Sequence, residues 1–235
     1  MISVCMATYN GETRVRKQLV SIIGQLTDED EIIIVDDCSK DKTTEICRGI
    51  LKKFNGKSQI IENKNNLGPI KSFERAIVAA SGDYIYLSDQ DDEWLTNKVA
   101  VCQQIFIDQA VDLIVHDAVV LDGNGRVIDS SWNHYNNNNM KQGVPGNLLK
   151  NGYTGAMMAF TKRLKNLAIP FPDNVEMHDQ WLFLVAKKKR LKIVRLDEPL
   201  MNYVRHGDNV TGMKRRSKKR QLIGRWRMLL DYWLK

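Results

Sequence analysis

The chain has 235 residues, 43% hydrophobic and 27% charged, with a formal net charge of +7. Those proportions fit one sizeable globular domain and exclude a disordered chain, a collagen-like fibre and a small disulfide-stapled scaffold. The positive excess is local: residues 212–235 carry nine Lys or Arg and one acid, leaving residues 1–211 with 26 basic and 27 acidic groups.

Residues 2–7 read as a short apolar strand, followed by the turn-like Tyr9-Asn10-Gly11. Helical spacing over 13–25 aligns Val15, Leu19, Ile22 and Ile23. A β-branched run over 31–35 ends in Asp36-Asp37, and 43–54 is again helical. Residues 58–62 give a third strand, 65–68 a loop, 70–80 a helix and 83–87 a fourth strand that runs into Asp89-Gln90-Asp91-Asp92. Strands alternating with helices of this length predict an α/β fold with a mostly parallel central sheet flanked by helices.

The second half is less regular. A hairpin is expected over 112–129, turning at Asp122-Gly123-Asn124-Gly125. The polar, asparagine-rich stretch 136–147 reads as a mobile loop, 151–162 as strand-like, 177–188 as a helix and 191–196 as a last strand. In the tail, basic residues at 214–220 precede a helical pattern with Leu222, Trp226, Leu229 and Trp233 along one stripe. A basic head, an apolar face and two tryptophans suit a helix lying on an anionic membrane surface; packing on the domain or on a second subunit is the alternative. Two units are therefore expected, a domain over 1–211 with halves at 1–100 and 101–211, and a basic amphipathic tail over 212–235.

No run reaches the roughly 18 consecutive apolar residues that span a bilayer. The first eight residues also lack the basic flank and apolar core of a signal peptide. Cys5, Cys38, Cys47 and Cys102 have no metal-like spacing, so a reducing, cytoplasmic setting with packing thiols is expected.

Acidic clusters close two predicted parallel strands, and ligands of open α/β sheets sit beyond the carboxyl ends of strands. Carboxylates crowded there repel one another unless a cation or sugar hydroxyl intervenes, and oxygen-only donors favour hard ions such as Mg²⁺ or Mn²⁺. Solvated loop acids are the plainer alternative. The chain has no Gly-x-x-x-x-Gly-Lys-Ser/Thr loop, no Gly-x-Gly-x-x-Gly after the first strand and no Gly-x-Ser-x-Gly elbow.

The order of motifs resembles the family 2 glycosyltransferases, inverting nucleotide-sugar enzymes of GT-A fold. The carrying residues are Val4-Cys5-Met6-Ala7-Thr8-Tyr9-Asn10, Ile34-Val35-Asp36-Asp37-Cys38-Ser39, Asn65-Asn66-Leu67-Gly68 and Leu87-Ser88-Asp89-Gln90-Asp91-Asp92-Glu93-Trp94. The last wording is similar to bacterial rhamnosyltransferase-like branches that build surface polysaccharides. The resemblance implies a nucleotide-sugar site at Ala7, Thr8, Tyr9, Glu12, Asp36, Asp37, Asn66, Gly68, Lys71, Asp89, Gln90 and Asp91. It implies Mn²⁺ or Mg²⁺ on Asp91, with Asp89 and His206 as further ligands, and Asp179 as the base. Thr154, Gly155, His178 and Trp181 would face the acceptor.

Alternatives stay open residue by residue. Asp179 suits a helix N-cap, Trp181 a core position and His206 an exposed turn. His178 stands where many relatives have Glu. The expected activity is inverting transfer from a UDP- or dTDP-sugar, rhamnose among them, to a lipid-linked saccharide. The enzyme would lie peripherally on the inner face of the cell membrane. No nucleic acid is expected as a partner, and the sequence leaves a homodimer open. A sugar-phosphate nucleotidyltransferase and a non-catalytic nucleotide-sugar-binding module are the rival readings.

Overall fold

The computed structural model describes residues 1–206 and 218–234. The first strand, β1 (Ile2–Thr8), lies between β2 (Glu31–Asp36) and β4 (Tyr84–Ser88), and β3 (Lys57–Glu62) forms the outer edge beside β2. All three pairings are parallel, with Ala7 opposite Val35 and Thr8 opposite Asp36. Ile32, Ile33, Ile34 and Val35 are all buried. Unbroken apolar runs of this kind mark a sheet covered on both faces rather than one with a wet side.

The cover comes from α1 (Val15–Ile23), α2 (Thr43–Leu51) and α3 (Pro69–Ala79). Helix α1 buries Val15, Leu19 and Ile22, while α3 buries Phe73, Ala76 and Ile77. Each large side chain so buried contributes about 1.5–3 kcal/mol. Three of the four cysteines are buried and Cys38 is half-buried, all as free thiols.

Beyond β4 the sheet changes character. Strand β8 (Met158–Thr161) pairs antiparallel with both β4 and β6 (Leu113–Leu121), and β6 runs parallel to β9 (Ile193–Val204). The two-residue β5 (Glu93–Trp94) closes the far edge on β9, and β7 (Val127–Asp129) makes the expected hairpin with β6. The carboxylate loop 89–92 is thus strung from the carboxyl end of β4 to β5 at the opposite edge.

Three expectations are corrected. The stretch 136–147 is not a structureless loop: α5 (Trp132–Tyr135) precedes it and α6 (Val144–Leu149) begins inside it. Met140 and Asn147 are buried, and the Tyr153 hydroxyl donates to the Met140 carbonyl at 2.8 Å, which gives the polar segment an anchor. Residues 151–157 are extended and then form a 3₁₀ turn, Gly155–Met157, so only the end of the expected 151–162 strand pairs in the sheet. The last strand is twelve residues long, because β6 offers it a partner over nearly that whole length. Helix α4 (Lys98–Gln109) and α7 (Lys162–Ala168) complete the cover with α8 (His178–Lys188).

The tail forms α9 (Lys218–Leu234). The junction expected at 211/212 and the basic residues 214–216 lie outside the described residues. The helix packs across α6 and α8 through Met228, which is buried, whereas Trp226, Leu230 and Trp233 are exposed. Leu229, placed on the exposed stripe by its spacing, is half-buried. No helix of the described residues is long and apolar enough to cross a membrane.

Candidate active site

The site is assembled where β1, β2 and β4 end. The Tyr9 N–H donates to Gln90 Oε1 at 2.9 Å, and Gln90 Nε2 donates back to the Tyr9 carbonyl at 2.9 Å. A Cβ at Gly11 would collide with this amide, so the glycine lets the turn after β1 clasp the carboxylate loop. On the other side, Asn10 and Glu12 donate their backbone N–H groups to Ser39 and Asp41 of the loop after β2, and Gly11 donates to Thr43 at the start of α2. Glu12 accepts in return from the Lys42 N–H at 3.0 Å.

Asp36 and Asp37 are nearly fully buried. Asp36 accepts from the Thr8 hydroxyl at 2.9 Å and from both the N–H and hydroxyl of Ser39 at 2.8 and 2.6 Å. Asp37 accepts from Asn63 at 2.7 Å, the Leu67 N–H at 2.8 Å and the Gly68 N–H at 2.7 Å. These acids therefore build the pocket: Asp36 and Thr8 fix the β1–β2 junction, and Asp37 holds the loop that carries Asn66. Thr8, Asp36 and Asp37 turn polar atoms onto these protein partners and so fix the shape of the expected nucleotide pocket. Tyr9 and Asn66 are exposed, and Ala7 is half-buried beside them. The Lys71 ammonium pairs with Glu74 at 2.9 Å and lies 3.7 Å from Asp173.

In the carboxylate loop, Asp91 Oδ2 and His206 Nε2 stand 2.6 Å apart. Burial pushes the Asp89 carboxyl up to about 7, with the negative charges of Asp91 and Asp179 adding to the lift. Burial likewise raises Asp92 well above the carboxylate range; its Oδ1 accepts from the Val204 N–H at 3.2 Å and its Oδ2 is buried without a partner. Such crowding marks a deficit of positive charge. The donor set fits a hard divalent ion: Asp91 supplies oxygen, His206 nitrogen, and Asp89 lies within their field. Among the described residues no three His, Cys, Asp or Glu side chains converge. Ions such as Mg²⁺ are commonly held by one or two carboxylates with substrate phosphates completing the shell.

Asp179 lies across from this loop in the first turn of α8 and is buried. It is not the N-cap, a position taken by Met177. Its carboxyl accepts from the Gln180 N–H at 2.6 Å, Asn151 Nδ2 at 2.9 Å and the Gly155 N–H. Burial pushes it up to about 6 against those hydrogen bonds. The adjoining His178 is stacked on Phe73 with ring centroids 4.3 Å apart and fills the space left by the missing side chain of Gly155. Both its ring nitrogens are buried without partners, and burial lowers its imidazole to about 4, so it is neutral at pH 7.

Thr154 accepts from Trp132 Nε1 at 2.9 Å. Trp181 is corrected: it is fully buried, its Nε1 donates to the Ala168 carbonyl at 3.0 Å, and it cannot stack on a sugar.

Two participants escaped the sequence reading. Asn151 orients the base, and Lys98, fully buried with its ammonium on the Ala156 carbonyl at 2.9 Å, lies under the carboxylates and lowers Asp89. A lysine eleven residues beyond the predicted strand 83–87 carries no sequence signal of burial; its position four residues after Trp94, whose ring it covers at 4.2 Å, was the available hint.

A parallel β-α-β half ending in clustered acids, joined to a mixed half that brings a carboxylate opposite them, defines the GT-A class of nucleotide-sugar transferases. The match to the family model "Glycosyl transferase family 2" over residues 3–168 shows that the chain belongs to that family. It is similar to the dTDP-rhamnosyl transferase RfbG of Shigella flexneri, 27% identical over 88% of this chain and 73% of RfbG. It is also similar to the Escherichia coli UDP-Glc:alpha-D-GlcNAc-diphosphoundecaprenol beta-1,3-glucosyltransferase WfgD, 22% identical over 99% of this chain and 86% of WfgD. Among solved structures, Staphylococcus aureus TarS 1–349 in complex with UDP-GlcNAc matches with a TM-score of 0.76 at 20% identity, over 97% of this chain and 65% of TarS. Several other curated relatives are matched over 33–40% of their own length.

Proposed function

We propose that the chain is an inverting glycosyltransferase that moves a sugar from a nucleoside-diphosphate donor to a saccharide carried on a lipid diphosphate, in bacterial surface polysaccharide synthesis. The observation that carries this reading is the opposition of Asp179 to the Asp89–Asp91 loop. The two are close enough for the Asp179 charge to lift Asp89, and the Gly155–Ala156 turn bonded to Asp179 and Lys98 links them.

Asp179 takes the proton of the acceptor hydroxyl as that oxygen attacks the anomeric carbon. The bond to the departing diphosphate breaks with its electron pair leaving on the nucleotide, and the configuration inverts. A divalent ion held by Asp91, with His206 and Asp89, would offset the charge that gathers on the leaving diphosphate. Gln90 fixes the loop against the β1 turn, and Tyr9 offers an exposed ring to the base. The neutral His178, buried between Phe73 and Gly155, packs behind the Gly155 turn that donates to Asp179.

The donors named for RfbG and WfgD support a dTDP- or UDP-sugar, rhamnose included, and the acceptor named for WfgD supports a diphospholipid. Peripheral placement on an anionic membrane is supported by the exposed Trp226, Leu230 and Trp233 and by the basic residues around them in sequence. Turnover of a nucleotide-sugar panel with Mn²⁺ tests the reaction. Release of nucleoside diphosphate from one donor, lost in Asp179→Asn, is expected; release of pyrophosphate from a nucleoside triphosphate and a sugar phosphate would contradict it.

A further inference from the structure

Lys98 has no accessible surface, and its ammonium lies where three segments meet. It donates to the Ala156 carbonyl at 2.9 Å, covers the Trp94 ring of β5 at 4.2 Å from the centroid and lies 4.0 Å from Met201 Sδ of β9. Trp94 is two residues beyond Asp92 and pairs with Met201, and Asp92 Oδ1 accepts from the Val204 N–H of β9 at 3.2 Å, so the exit of the carboxylate loop is wrapped around the ammonium. The groups it touches are uncharged. An ammonium removed from water costs several kcal/mol unless opposite charge goes with it. That charge is at hand. Asp92 is buried with its Oδ2 unpartnered; burial lowers the Lys98 ammonium to about 7, while the charges of Asp92 and Asp89 hold its proton on. Two further titratable groups lie within its field and add no charge: Cys102 of α4 is a buried thiol pushed up to about 11, and His116 of β6 is kept neutral by burial.

One buried cation beside Asp89, Asp91 and Asp92 has two physical consequences. It offsets part of their mutual repulsion, which favours the formed loop. It also weakens the pull of the loop on a free divalent ion, since like charges repel strongly away from water. A nucleoside diphosphate brings its own negative charge and reverses the second effect. We propose that Lys98 is a positioning residue, the resident counter-cation of the carboxylate loop, which holds that loop formed and keeps a free divalent ion from binding tightly ahead of the nucleotide. The bond to Ala156 adds a mechanical link: the same short turn carries the Gly155 N–H that donates to Asp179, so the ammonium joins the loop to the turn that supports the base. The proposal rests on the transferase reading above and deepens it, because it concerns how that site takes up its ion.

Lys98→Met keeps the length of the side chain and removes its charge. Calorimetric titration of the nucleotide-free full chain with Mn²⁺ should show about tenfold tighter binding in this variant. Loss of a residue that only packs would weaken Mn²⁺ binding instead, so unchanged or weaker binding in folded Lys98→Met would overturn the proposal. The single variant also leaves Asp92 buried without its counter-charge, whereas Lys98→Met combined with Asp92→Asn removes both charges together. Without metal, the double variant should therefore melt at a higher temperature than Lys98→Met. A double variant that melts no higher, or that does not fold, would overturn the proposal even where the single variant yields no folded protein. Release of nucleoside diphosphate from a donor judges the transferase reading separately: its absence, with both of these results obtained, would remove that reading and leave the role of Lys98 standing.

Discussion

Asp179 shows how one residue's surroundings set its task. A carboxylate removed from water holds its proton more tightly, which makes it a better base, while three donated hydrogen bonds and the helix N-terminus keep it from becoming neutral at working pH. With the group at about 6, the active form is the deprotonated one, so kcat/KM should rise as pH increases through about 6 and level off above it. Asp179→Asn should lower kcat by about 10²–10⁴-fold while nucleotide binding is retained; a pH profile that is flat from 5 to 7.5 would contradict the assignment. Asn151→Ala removes one hydrogen bond that favours the charged form, so the rising limb of the profile should move to higher pH.

Gln90 makes a second prediction at this scale. Its amide is used twice on the backbone of Tyr9, so Gln90→Ala should weaken nucleoside diphosphate binding, measured by titration, through displacement of the Tyr9 turn rather than through loss of charge. The sequence showed the motif but not this role, because the reciprocal bond joins residues 81 positions apart.

At the level of elements, the first half was legible because the central strands β1, β2 and β4 are largely apolar runs and each helix a stripe with period near 3.6, while the exposed edge strand β3 shows only Ile60 and Ile61. The pattern that predicted strands ending in Asp36-Asp37 and Asp89-Gln90-Asp91-Asp92 is the one that places them at the same, carboxyl end of the parallel strands. The second half resisted for physical reasons. In α4, Val99, Cys102 and Phe106 face inward but Ile107 is exposed and Lys98 is buried, so the stripe is blurred. In 136–147 the ordering contacts are single long-range bonds, such as that of Tyr153 to Met140, which composition does not reveal.

Trp181 tests the distinction between core and site. Trp181→Ala should destabilise the domain by about 3–5 kcal/mol and leave the donor KM of the folded fraction unchanged. A large rise in acceptor KM without loss of stability would restore the stacking role.

For the whole molecule, the tail reconciles two expectations that the sequence held apart. One side of α9 packs on the domain through Met228, and the other presents Trp226, Leu230 and Trp233. Replacing Trp226 and Trp233 together by Ser should leave the melting temperature nearly unchanged and reduce sedimentation with anionic liposomes, the more so at high salt because the basic residues act through screened charge. Full sedimentation of that variant would place the membrane contact elsewhere.

The central claim is that Asp89 and Asp91, in the loop beyond the carboxyl end of β4, hold a nucleoside diphosphate through a divalent ion. Thermal stability against UDP, dTDP, GDP and CMP, each with and without Mn²⁺, tests it most directly. Ligand binding to the folded state stabilises it by mass action, by about 2.7 kcal/mol at a hundredfold excess over the dissociation constant. The account predicts a metal-dependent rise for one diphosphate that disappears in Asp91→Ala; a rise that is independent of Mn²⁺ and survives that substitution would contradict it.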